Sequence, residues 1–91
     1  MPTSMIKLAR LDVERHPTVR LIFSDGSSGV WSAADLIARD TVMTRPLADA
    51  RYFARAFVEA GALAWPNGLE LSAASLHRRL EDAGALMRAA A

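Results

Sequence analysis

Three sets of side chains in this sequence are of the types that chemistry needs, and each has a plainer reading beside it. Asp12 and Glu14 stand two positions apart in a segment of alternating polarity, so both carboxylates share one strand face, as an acid–base pair would require. A solvated strand face explains them better, because Asp and Glu are rarely buried. His16 and His77, with Ser24 or Ser72 and Asp25 or Asp82, supply the ingredients of a hydrolytic triad. A triad is defined by geometry, and no Gly-x-Ser-x-Gly elbow accompanies these residues. His77 reads more simply as a helix-surface residue four positions before Glu81. Arg45, Arg51 and Arg55 suit a phosphate-binding patch, but Asp40, Asp49 and Glu59 lie among them, and a mixed surface is expected.

One short motif, Trp65-Pro66-Asn67-Gly68, carries a specific backbone message. Asn-Gly is a strong hairpin signal because Gly takes positive φ without strain, and Pro66 ends strand pairing just before it. Trp65 is of a type enriched at interfaces and able to stack on a ring. The reading favoured on turn chemistry is a Trp packed in the core beside the turn.

The elements that must position these residues follow from periodicity. Residues 6–14 alternate, with Lys7, Ala9, Leu11 and Val13 on one face and Leu8, Arg10, Asp12 and Glu14 on the other, which predicts a half-buried strand. His16-Pro17 breaks it, and Thr18 to Phe23 resumes the alternation through Val19, Leu21 and Phe23. Asp25-Gly26 predicts a hairpin into a short strand over Gly29 to Trp31. Ser32, with Asp35 three residues later, then opens a short helix to about Arg39. In the middle, Tyr52, Phe53, Ala56, Phe57 and Ala60 recur at helical spacing and alone predict a helix over 48–60. The competing pattern is a hairpin of Arg55 to Glu59 with Ala62 to Trp65, turning at Ala60-Gly61, and periodicity leaves both open. Ser72 caps a final helix whose apolar positions Ala73, Leu76, Leu80, Ala83, Met87 and Ala90 run at three- and four-residue steps, weakened near Gly84.

Composition narrows the function classes. Ninety-one residues are expected to form one domain over 1–91, with residues 84–91 frayed. The absence of Cys removes disulfides, thiolate zinc sites and cysteine nucleophiles together. A formal net charge of +1 with interspersed signs lacks the excess that phosphate-backbone binding needs, so nucleic acid is disfavoured as a direct partner. No apolar run approaches the ~20 residues of a membrane span, nor is there a secretory leader, so a soluble, cytoplasmic protein is expected.

From Pro46-Leu47-Ala48-Asp49 through Phe53 to Trp65-Pro66-Asn67-Gly68-Leu69-Glu70-Leu71 and the capped helix, the chain resembles the bacterial domain of unknown function family 2442. The Phe23-Ser24-Asp25-Gly26 turn and the stretch from Val30 to Leu36 are similar to that family's first hairpin and following helical turn, so Ile6 to Leu80 is covered. The resemblance implies a small antiparallel sheet carrying short helices, with a strand at Arg55 to Glu59 in place of the long helix. Family members generally have Asp-rich positions after the Asn-Gly turn and often a Tyr in the final helix. Here Glu70 and His77 stand near those places. The family implies no established catalytic residues, and some members are fused to a helix-turn-helix or encoded beside another small protein in toxin–antitoxin-like pairs.

The resulting expectation is an α+β fold: one small antiparallel sheet of about four to five strands, short helices on one face, and a C-terminal helix. Catalytic, cofactor-binding and metal-ligating residues are read as none. The function expected is a non-enzymatic protein-interaction domain, either a homodimer or half of a pair with another small bacterial protein. Trp65, Asn67, Leu76, Leu80 and Met87 are its expected interaction surface. The alternatives are an accessory domain of a DNA-binding or regulatory system and a small-molecule enzyme without a recognisable motif.

Overall fold

A computed structural model describes residues 5–88, as an α+β fold with two antiparallel three-stranded sheets. In the first, β1 (Leu8–Val13), β2 (Thr18–Phe23) and β3 (Ser28–Ser32) are ordered β1-β2-β3. Alternation along β2 puts Val19, Leu21 and Phe23 on one sealed face, each at most 1% exposed, with Trp31 of β3 on the same side. β1 departs from simple alternation. Leu8 lies opposite Phe23 but Arg10 opposite Ile22, so Ala9 is an extra residue in the ladder. This bulge shifts the phase by one, grouping Leu8 with Leu11 and Val13 and leaving Arg10 and Asp12 to solvent.

The β2–β3 turn and the Trp65-Pro66-Asn67-Gly68 turn share one design. Gly26 N–H donates to Phe23 O at 3.0 Å and Phe23 N–H to Ser27 O at 2.8 Å; Gly68 N–H donates to Trp65 O and Trp65 N–H to Leu69 O, both at 3.0 Å. In each, Gly is left-handed, with φ 86° at Gly26 and 92° at Gly68. The preceding Asx side chain accepts the amide two residues on: Ser27 N–H to Asp25 at 2.9 Å, and Leu69 N–H to Asn67 at 3.2 Å. These are three-residue loops closed by a glycine bulge, one residue longer than the two-residue Asn-Gly turn.

Ser32 accepts from Ala34 N–H at 3.1 Å as α1 (Ala34–Arg39) begins. A 3₁₀ turn (Arg45–Ala48) and the single turn α2 (Ala50–Phe53) follow, the latter capped by Asp49, which accepts from Arg51 N–H. The helix that spacing predicts over 48–60 stops there. Phe57–Glu59 is instead β4, paired with β5 (Ala62–Ala64), with Glu59 opposite Ala62. Ala60 (φ 49°) and Gly61 (φ 82°) are both left-handed, as a two-residue hairpin turn of matching twist demands. The hairpin reading therefore holds, with a strand shorter than Arg55 to Glu59. β6 (Glu70–Leu71) completes the second sheet, ordered β4-β5-β6.

The expected single sheet of four to five strands is replaced by two sheets. β4 and β5 have three residues each and β6 two, and the first strand of one sheet meets the other through one backbone bond, Leu8 N–H to Gly61 O at 2.8 Å. The bulge at Ala9 falls immediately after that bond.

α3 (Ala73–Asp82) is capped by Ser72, which accepts from Ser75 N–H at 3.2 Å. Gly84 ends it at φ 71°, with Ala85 N–H donating to Leu80 O and Gly84 N–H to Glu81 O, a Schellman pair. Beyond Gly84, Met87 exchanges two hydrogen bonds with Ser28, of 2.8 and 2.7 Å, against the free side of β3. Residues 89–91, including Ala90 of the predicted stripe, lie outside the described residues.

Candidate functional site

The residues with chemical potential mostly brace the fold. Asp12 lies 3.2 Å from Arg10 and Glu14 3.1 Å from Arg20, each pair on the exposed face of the first sheet, so the carboxylates are separately paired to bases. Arg45 is paired with Asp40 at 2.8 Å, as a surface of mixed charge requires. His16 packs edge-on against Phe53, and its Nε2 lies 2.8 Å from Leu47 O, so that nitrogen carries the proton and donates. His77 is not a surface partner of Glu81. Its ring stands edge-on to Phe23, 13% exposed, and Nε2 lies 3.3 Å from Asp25 Oδ2.

Asp25 thus sits between His77 and Ser27, whose hydroxyl and amide both donate to Oδ1. In a hydrolytic triad the imidazole lies between hydroxyl and carboxylate, so that it can take the hydroxyl proton. Here the carboxylate is central and accepts from both neighbours, so the imidazole does not reach the hydroxyl proton. The Ser27 hydroxyl and then the Ser27 amide hold the Asp25 carboxyl below its ordinary value, opposed by burial and aided to a lesser degree by His77. The cluster pins the β2–β3 loop to α3, a contact across 52 positions that no local pattern announces.

The expected interaction surface divides. Trp65 and Leu76, each 1% exposed, lie inside the core and offer no surface, while Leu80, 4% exposed, packs in the core and shows only an edge to a cleft between β3, α1 and α3. Leu76 and Leu80 are covered by the chain's own sheet and helices because α3 is amphipathic with its apolar side inward. Trp65 Nε1 donates to Phe53 O at 3.0 Å. Asn67 is exposed, yet its Nδ2 donates to Met43 O at 3.1 Å and its backbone N–H to Tyr52 Oη at 3.0 Å. The Trp-Pro-Asn-Gly loop is therefore an internal clasp that fastens the segment from Met43 to Phe53 onto the second sheet. Met87 remains 64% exposed.

What stays open is a cleft of about 490 Å³ between β3, α1 and α3, within the size range of ligand-binding pockets. Trp31, Leu36 and Leu80 provide its apolar wall; Val30, Ala83 and Ala85 border it, with Asp35, Asp82 and Arg79 as its charged residues. None of these three charged side chains is in an ion pair among the described residues. Trp31 Nε1 has no protein hydrogen-bond partner, and no buried side-chain polar atom among the described residues is left unpartnered, so this N–H reaches solvent. Sequence reading missed the cleft because β3, α1 and α3 come together only in the folded chain.

Among the described residues no three His, Asp or Glu side chains gather as a metal site, and no helix is long and apolar enough to cross a membrane. Comparison with protein-family models, curated proteins and solved structures returned no match.

Proposed function

We propose that the chain is a non-enzymatic protein-interaction domain that takes a partner protein into the cleft beside β3. The observation that carries this reading is the cleft itself, an apolar wall of Trp31, Leu36 and Leu80 opening next to Val30, which is 39% exposed on an edge strand. Apolar surface rimmed by charge and set against a sheet edge suits protein recognition. The resemblance to domain of unknown function family 2442, with its paired small proteins, favours the same class. A bacterial cytoplasmic setting and a partner encoded nearby belong to this proposal. The test places a photo-crosslinking side chain at position 30 of the full chain in its native host, with position 42 as control, Val42 being 81% exposed but outside the cleft. One dominant protein adduct specific to position 30 is expected. Equal adducts at both positions contradict the reading.

A further inference from the structure

The backbone of β3 gives the cleft a direction and so restricts what can fill it. Ser28 turns its N–H and C=O away from β2, toward Met87, while Ala33 N–H turns back to Pro17 O at 2.9 Å. Backbone groups alternate sides along a strand, so Val30, in phase with Ser28, also presents its N–H and C=O away from β2. No backbone or side-chain group among the described residues meets them. The chain that pairs at Met87 leaves this edge before reaching Val30, because Ala85 is tied to Leu80 O at 2.8 Å by the helix stop. The result is an unfilled strand position alongside an apolar wall.

We infer that this slot binds a short extended segment of a partner protein, added as a strand beside Val30, with an apolar side chain on Trp31, Leu36 and Leu80 and a Lys or Arg near Asp35 and Asp82. The inference rests on the interaction-domain reading above and adds the chemistry of the occupant. Strand addition follows from the paired donor and acceptor of Val30, which an extended backbone satisfies and a helix does not. The basic residue follows from charge: two unpaired carboxylates face one unpaired guanidinium, Arg79, around the cleft. The β3 strand of a second copy, Ser28-Gly29-Val30-Trp31-Ser32, carries no cation of its own for those carboxylates.

The test is selection of a phage-displayed random-peptide library on the immobilised full chain, followed by titration of an enriched peptide. Enriched peptides should carry an apolar residue with Lys or Arg close by in an alternating pattern. Val30→Pro removes the outward N–H without breaking a bond to β2, while also fixing φ and replacing the Val side chain. It should weaken binding roughly tenfold, with a modest fall in melting temperature. Asp35→Asn with Asp82→Asn should weaken binding and flatten its salt dependence, whereas Arg79→Gln should tighten it, an increase that a folding defect would not produce. An enriched peptide indifferent to all these changes overturns the site but leaves an interaction domain in place. Self-association that Val30→Pro abolishes, without any enriched peptide, makes a second copy the occupant and overturns the basic-segment inference. Neither enrichment nor self-association sinks both the inference and the reading beneath it.

Discussion

The indole N–H of Trp65 donates to the backbone carbonyl of Phe53 across 3.0 Å of sealed core, joining the end of α2 to the turn after β5. The two rings also lie 5.7 Å apart between centroids. Trp65→Phe removes the donor, leaves Phe53 O with only the Ala56 N–H at 3.2 Å as partner, and leaves unfilled volume. A destabilisation of about 2–4 kcal/mol is expected, measured by urea unfolding. A change below about 1 kcal/mol would show that the clasp contributes little.

Ala60 predicts a change of the opposite sign. It occupies a left-handed position (φ 49°) in the β4–β5 turn, where an L side chain is strained by about 1–2 kcal/mol. Ala60→Gly should raise stability by about 0.5–1 kcal/mol, the relief of strain exceeding the added freedom of the unfolded chain. Thermal unfolding would register this as an increase of several degrees. A lower melting temperature would contradict the turn.

Gly68 also uses its positive φ (92°), while a Cβ there would meet nothing within 4 Å. The cost of Gly68→Ala is therefore backbone strain alone, about 1–2 kcal/mol, or a melting temperature lower by roughly 4–12 °C for a domain of this size. An unchanged melt would mean the loop adopts another conformation.

Asp25 sets an acid limb. Its carboxyl is held below its ordinary value of 3.8 first by the Ser27 hydroxyl, then by the Ser27 amide and by His77. A depressed folded value means that ionised Asp25 contributes its full stability above the unfolded value, and that this is lost as pH falls through the folded one. Urea midpoints followed from about pH 5 downward should fall, and Asp25→Asn should make that fall shallower. A parallel curve for the variant would remove Asp25 from the acid transition.

The sequence makes β2 and the Ser72 cap legible because their signals are local, alternating Val19, Leu21 and Phe23 and a capping hydroxyl, whereas the hairpin at Ala60-Gly61 is one of two open patterns that only the family resemblance favours. The helical spacing from Tyr52 to Ala60 misled because tertiary pairing of β4 with β5 overrides propensity. The register of β1 turns on one inserted residue, Ala9, which a period-two reading absorbs without trace. At the site, Leu76 and Leu80 were legible as an apolar stripe but not as to what covers it. The bond from His77 to Asp25 and the cleft beside Val30 both join segments far apart in the chain, beyond the reach of spacing rules.

A docking strand requires the edge of β3 to be unpaired beside the cleft, and amide hydrogen exchange of the free full chain reads that edge residue by residue. Gly29 and Trp31 face β2 in the ladder and Ser28 bonds to Met87, so their amides should exchange slowly. Val30 N–H, pointing away from β2, should exchange faster than all three by at least about tenfold. Protection of Val30 equal to that of its neighbours would mean that the edge is already covered, and the proposed docking strand would have no place to bind.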